Sequence, residues 1–195
     1  KLNSLVKKFP SLKELILKDI SCSSLRKVNI NTEIQILRLI NTNLKLDFNK
    51  FTNLNYLEIH NNDYCDDVIR NLSSLKNLIL KDNKKLNKII TNCKNLNNLE
   101  IINCNDNINL TVPLVDTLTL SEINNIKFIK KCNIINLKIW NSFLDIKSFC
   151  DNLEIKYGLF RRKNKYTNLE LNFITIDDFD ILSFKKFITK FENIK

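Results

Sequence analysis

Residues Leu54 to Leu86 read LNYLEIHNNDYCDDVIRNLSSLKNLILKDNKKL and contain one short phrase twice. Leu54, Leu57, Ile59 and Asn62 in the first copy are answered by Leu75, Leu78, Leu80 and Asn83 in the second, a shift of 75 − 54 = 21 residues at every position. A fixed period of roughly 20 to 50 residues marks an array of stacked supersecondary units, and it outranks residue-by-residue propensity as evidence for fold.

Working outward, the template L-x-x-L-x-L-x-x-(N/C) can be laid over the chain at nine places. These are Leu12/Leu15/Leu17, Ile34/Leu37/Leu39, Leu54/Leu57/Ile59, Leu75/Leu78/Leu80, Leu96/Leu99/Ile101, Val115/Leu118/Leu120, Ile134/Leu137/Ile139, Cys150/Leu153/Ile155 and Tyr166/Leu169/Leu171. Successive starts differ by 22, 20, 21, 21, 19, 19, 16 and 16 residues. In each L-x-L both apolar side chains fall on one face of a strand and the intervening residues on the other. One such strand cannot bury its face alone. Neighbours stacked at about 4.8 Å per strand bury a continuous core, repeat against repeat.

The phrase and its period resemble the leucine-rich-repeat family, over about residues 9 to 176. The resemblance implies an α/β solenoid of horseshoe form, with a parallel concave β-sheet and short convex helices or turns. It also implies that the ninth template residue bonds backbone groups inside the turn. Asn62, Asn83 and Cys104 suit that role, whereas Ile20, Thr42, Ile123, Ser142, Gly158 and Ile174 hold the place elsewhere and leave those turns to be closed some other way.

The whole chain, 1–195, reads as a single domain of about nine repeats. Its return segments of about ten residues suggest helices at Asp66 to Leu75, where acids lead and Val68, Ile69 and Leu72 follow at helical spacing, and at Leu86 to Leu96 and Asn125 to Asn133. The first return, Ile20 to Glu33, holds a small match in Leu25, Val28 and Ile30 that reads as a convex strand or an irregular repeat. Lys156 to Lys165 breaks the rhythm with Gly158 and the Arg161/Arg162 pair and reads as a protruding loop. From residue 177 to 195, acids precede lysines, and Phe179, Leu182, Phe187 and Phe191 recur at helical intervals. This pattern predicts an amphipathic helix, either a cap on the array or part of a further repeat.

Composition bounds the rest. At 195 residues and 44% hydrophobic, the chain can bury a substantial core. It has no Ala, no Met and one Gly, while Asn, Lys, Ile and Leu dominate, as AT-rich codons supply. Without Met the initiator is missing, which points to a fragment or processed piece. The net charge of +10 raises nucleic acid or an anionic membrane as partner. Lysine supplies most of that charge, whereas bidentate phosphate contacts favour Arg, so the excess reads as codon bias on a solvated surface. The six cysteines (Cys22, Cys65, Cys93, Cys104, Cys132, Cys150) fit free thiols better than disulfides. Cys93 stands where Phe51 and Leu72 stand in earlier repeats, and Cys104 where Asn62 and Asn83 stand. Reduced Cys behaves as a small buried hydrophobe, which favours an intracellular compartment, cytoplasmic or nuclear. No apolar run approaches the 18 or so residues of a membrane span.

Catalysis needs an activated nucleophile or a positioned acid and base. The single His, His60, falls at the seventh template position beside Ile40 and Lys81, with no nucleophile to complete a triad. No closely spaced Cys or His pair suggests zinc, and a single Gly leaves no phosphate-cradling loop. The reading is therefore non-enzymatic, with no cofactor and no metal.

The informative residues are the outward ones at template positions three, five and seven, whose identity the repeat does not set. They mix Arg38, Tyr56, Glu58, His60, Ile79, Glu100, Ile102, Lys138 and Trp140, and no sign of charge prevails. This counts against phosphate-backbone binding. Trp140, the only Trp, is a candidate interface anchor, unless it folds onto Lys138, Lys156 or the 156–165 loop; Tyr56, Arg38 and His60 form a second patch. Arg161, Arg162, Lys163 and Lys165 are a possible basic loop for acidic groups or nuclear import.

The expectation is a protein-protein interaction module that binds another protein through the concave face and can belong to a larger multidomain chain. Two alternatives are a secreted or cell-surface adhesion protein and a basic surface for nucleic acid or anionic membrane.

Overall fold

A computed structural model describes residues 9–20, 33–44, 46, 48, 51–62, 72–86, 88–90, 93, 96–105, 107–111, 114–123, 125–128, 133–140, 166–172, 185, 188–189 and 191–194. These residues contain twelve strands: β1 (Glu14–Lys18), β2 (Ile36–Ile40), β3 (Tyr56–His60), β4 (Asn77–Lys81), β5 (Lys88–Ile90), β6 (Leu96–Ile102), β7 (Asn107–Thr111), β8 (Leu114–Ser121), β9 (Asn125–Phe128), β10 (Asn133–Trp140), β11 (Tyr166–Asn172) and β12 (Phe191–Ile194).

Nine of them form one sheet in the order β1-β2-β3-β4-β6-β8-β10-β11-β12, and β5-β7-β9 form a second. Every pairing is parallel and in register on the repeat: Leu37 lies beside Leu57, Leu57 beside Leu78, Leu78 beside Leu99, and Leu99 beside Leu118. The molecule is a parallel-strand solenoid of stacked coils.

The register follows from alternation. Leu37, Leu39, Leu57, Ile59, Leu78, Leu80, Leu99, Ile101, Leu118 and Leu120 are all fully buried, so slipping a strand by one residue would turn its whole apolar set outward. Ile34, Leu54, Leu75, Leu96 and Val115, which lead their repeats, close the same core. A tight turn sets up several of these leaders, with the amides of Leu12, Leu54 and Leu75 donating to the carbonyls of Phe9, Phe51 and Leu72 at 3.1, 3.2 and 3.0 Å.

The chain leaves β1, β2, β3, β4, β6 and β8 through a residue in the left-handed region. Asp19, Asn41, Asn61, Asp82, Asn103 and Glu122 have φ of 54°, 50°, 50°, 54°, 47° and 54°. Asn and Asp tolerate this conformation best after glycine. Their amides reach to the next coil, as in Asn41 to the His60 carbonyl and Asn61 to the Lys81 carbonyl, both 2.9 Å. Their side chains also run in series: Asn41 Nδ2 donates to Asp19 Oδ1 at 2.9 Å and Asn61 Nδ2 to Asn41 Oδ1 at 3.2 Å.

Four sequence expectations need correction. First, the returns within Leu86 to Leu96 and Asn125 to Asn133 are not helical where described: they carry β5 and β9, which flank β7. Starting a helix fixes several residues for one hydrogen bond. A three- to five-residue strand beside an equally spaced neighbour instead bonds at once, and buries Ile89, Ile108 and Leu110 in the core. Of the return at Asp66 to Leu75, only 72–75 is described, and it is a turn.

Second, the expected order of rungs changes after the seventh match: β10 pairs directly with β11, Leu137 beside Leu169, while the match at Cys150/Leu153/Ile155 lies outside the described residues. Third, the stretch 177–195 is not helical to its end. Lys185 and Ile188 are helical and the Thr189 amide donates to the Lys185 carbonyl at 3.1 Å, but Phe191–Ile194 is a strand that adds to β11, with Tyr166 beside Phe191 and Leu169 beside Ile194. Fourth, α-helix among the described residues is confined to Lys185 and Ile188, with a 3₁₀ position at Phe48, and the return side is built in part from sheet. The first return and the loop with Arg161, Arg162, Lys163 and Lys165 lie outside the described residues.

Candidate functional site

Strand alternation puts template positions three, five and seven on the open face of the nine-stranded sheet, and parallel register stacks them into columns. Position five runs Ile16, Arg38, Glu58, Ile79, Glu100, Thr119, Lys138, Glu170 through paired strands. Position seven runs Lys18, Ile40, His60, Lys81, Ile102, Ser121, Trp140, Asn172 by the same pairings. The expected columns thus form among the described residues; the members from the Cys150 match lie outside them.

One cluster centres on Arg38. Its Nη1 lies 3.5 Å from Glu14 Oε1 and its Nε 3.5 Å from Glu58 Oε2, and its guanidinium sits 5.2 Å from the centre of the Tyr56 ring. Tyr56 in turn donates its hydroxyl to Glu58 Oε2 at 3.2 Å. Burial, and then the Glu58 carboxylate beside it, pushes the Tyr56 phenol above its ordinary value. Half-exposed ion pairs add little stability. Here they fix the aromatic and the guanidinium in one arrangement, which lowers the entropic cost of meeting a partner.

His60 belongs to the neighbouring position. Its Nε2 lies 2.6 Å from Asp82 Oδ2, on the turn residue of the next coil. Asp82 also accepts from Asn103 Nδ2, and Asn103 accepts from Lys84. His60 is therefore a half-buried, partnered side chain rather than a freely exposed one. Asp82 was not among the residues singled out in the sequence. The signal was present in the run of Asn and Asp at the eighth position, Asp19, Asn41, Asn61, Asp82 and Asn103, in a chain with one Gly.

Further along, Asn98 Nδ2 donates to Glu100 Oε1 at 2.7 Å. Ile79 is nearly buried and Ile102 half-buried. Lys138 Nζ stands 5.9 Å from the centre of the Trp140 ring. The geometry brings Arg38, Tyr56 and Glu58 together, joins His60 to Asp82, and places Lys138 with Trp140 at the other side of β8.

The ninth template position lies inside the turns. Asn83 Nδ2 donates to the Ile59 carbonyl at 2.8 Å, while its Oδ1 accepts from the Asn62 amide at 3.0 Å. Asn62 Nδ2 reaches Thr42 Oγ1 at 3.3 Å and the Leu44 carbonyl at 3.2 Å. The Cys104 thiol donates to the carbonyls of Leu80 and Ile102 at 3.5 and 3.4 Å. Cys93, at the apolar position, donates to the Leu72 carbonyl at 2.9 Å. Both are buried free thiols.

Among the described residues, no three His, Cys, Asp or Glu are grouped to hold a metal ion, and no helix is long and apolar enough to cross a membrane. No protein-family model matches the chain, and no curated protein matches it.

Proposed function

We propose that the chain is a leucine-rich-repeat recognition module that binds another protein through the open, concave face of its long sheet and carries out no chemistry of its own. The observation that carries this reading is the in-register stacking of three outward columns whose residues are not needed by the core. They join aromatic, aliphatic and both signs of charged side chain. The Tyr56/Arg38 cluster and Trp140 are of the residue types that dominate binding hot spots. Acidic Glu14, Glu58, Glu100 and Glu170 interrupt the basic residues of the columns, which disfavours a phosphate backbone along this face.

The test is affinity capture with the chain as bait, followed by Tyr56→Ala and Trp140→Ala against the partner recovered. A central aromatic anchor lost to Ala costs about 2 kcal/mol or more, roughly thirtyfold in Kd. Unchanged affinity in both variants would exclude this face.

A further inference from the structure

The open face is not level. In the position-five and position-seven columns, Thr119 and Ser121 of β8 are each only 7% exposed, whereas Glu100 and Ile102 on β6 and Lys138 and Trp140 on β10 stand half-exposed on either side. Short side chains on one strand between long ones on its two neighbours make a trough along β8. Its floor is Thr117, Thr119 and Ser121. One wall is Glu100 and Ile102 and the other is Lys138 and Trp140.

The floor is polar. Thr117 Oγ1 accepts from Asn136 Nδ2 at 3.4 Å, but the Thr119 and Ser121 hydroxyls have no hydrogen-bond partner among the described residues. Neither is a buried orphan: both hydroxyl oxygens keep contact with solvent, so a ligand group can take the place of water there. Two in succession along one strand offer a row of hydroxyls to a ligand's polar groups.

We propose that this trough binds an extended peptide segment of a partner protein, lying along β8 with one backbone edge on Thr119 and Ser121. The proposal rests on the reading that the face binds protein, and it names the form of the partner. Three matches support it. Alternate residues of β8 repeat every 6.6–6.8 Å or so, as do the backbone groups on one edge of an extended peptide, and hydroxyls can donate or accept as that edge requires. The walls stand two rungs apart, about 9–10 Å, roughly the thickness of a strand measured through its side chains. Side chains of a peptide held edge-on point alternately to the two walls. A basic residue then faces Glu100, an acidic one faces Lys138, and apolar residues face Ile102 and Trp140.

The other ligand classes fit less well. A sugar ring would stack on the Trp140 face, which Lys138 Nζ covers at 5.9 Å. A phosphate chain would be repelled by Glu100.

The experiment selects phage-displayed random linear peptides, as long as β8, on the full chain. The expected result is an enriched set with basic and acidic residues at neighbouring positions and an aliphatic or aromatic residue beside them. Binding should fall about tenfold or more in the Thr119→Val/Ser121→Ala double variant, which removes two hydrogen bonds and keeps similar shape. Glu100→Lys should exchange the preferred basic residue for an acidic one. Unchanged melting temperatures establish that the variants are folded. The proposal is overturned if no peptide is enriched, if a glycan binds in the same trough instead, or if the double variant binds as the parent does. Peptides sensitive to Arg38→Ala or Tyr56→Ala but not to the double variant overturn the trough and leave the open-face reading standing. Peptides indifferent to all these changes overturn both.

Discussion

From β2 to β6 the polar backbone inside each turn is met by a side chain from the ninth template position. After β8 the same place holds Ile123, with no hydrogen-bonding group, while a second sheet forms across the return side. The change is graded. Asn62 and Asn83 supply amides, Cys104 a thiol, and Ile123 only a buried aliphatic group. Over the same interval β5, β7 and β9 come into register, Ile89 beside Leu110 and Leu110 beside Phe128. A buried N–H or C=O needs a partner, and the source of that partner is secondary. The coils can therefore drop the amide where parallel return strands hold neighbouring coils together, and the core leucines stay in line throughout.

The largest test of this contrast is Asn83→Ala. It leaves the Asn62 amide and the Ile59 carbonyl without the bonds they make at 3.0 and 2.8 Å. Each buried orphan costs about 1–3 kcal/mol, so the variant should lose about 2–6 kcal/mol in urea unfolding, with hydrogen exchange at the Asn62 amide accelerated. A loss below about 1 kcal/mol would remove the ninth-position ladder as the device that closes the early coils.

The second device is broken from the other side by Asn109→Pro, in the middle strand of the β5-β7-β9 sheet. Proline there deletes one ladder donor and orphans one acceptor, a loss of about 1–3 kcal/mol. Exchange should quicken at the amides of β5 and β9 and stay slow at Asn62. Equal acceleration in both regions would mean that the coils are closed jointly and the contrast is false.

How much of this was legible in the sequence depends on what each residue has to do. Leu57, Leu78 and Leu99 can serve only as an inward row, and their spacing led directly to the registered sheet. The outward columns followed, because alternation leaves them no other face. Ile89, Ile108 and Leu110 were ambiguous: three to five residues with one or two apolar positions satisfy a turn of helix as well as a strand, and only the neighbouring coil decides. Cys150/Leu153/Ile155 fitted the template by residue type, yet the sheet passes from Ile134/Leu137/Ile139 straight to Tyr166/Leu169/Leu171. In the site, the pairing of His60 with Asp82 depends on a turn residue of the next coil, and the burial of Thr119 and Ser121 on the height of their neighbours. Neither is written in a column read one strand at a time.

Cys104 stands where the two closures meet and offers the smallest effect and the finest discrimination. Burial raises its thiol above the ordinary value and the nearby Asp82 carboxylate adds to this, outweighing the lowering effect of hydrogen bonds with Asn83 and Ile102. A raised folded-state value means that the unfolded chain gives up the proton first. The stability contribution is therefore complete below the ordinary thiol pKa and is lost as pH climbs past it. Even if the folded thiol never ionised, the loss between pH 7 and 9 would be less than about 1 kcal/mol. Comparing the pH dependence of the melting temperature in the parent and in Cys104→Val isolates it: the parent should fall more steeply above about pH 8.5. Parallel curves would show that the thiol is not held protonated in this turn, and the ladder of side-chain closures would then end at Asn83.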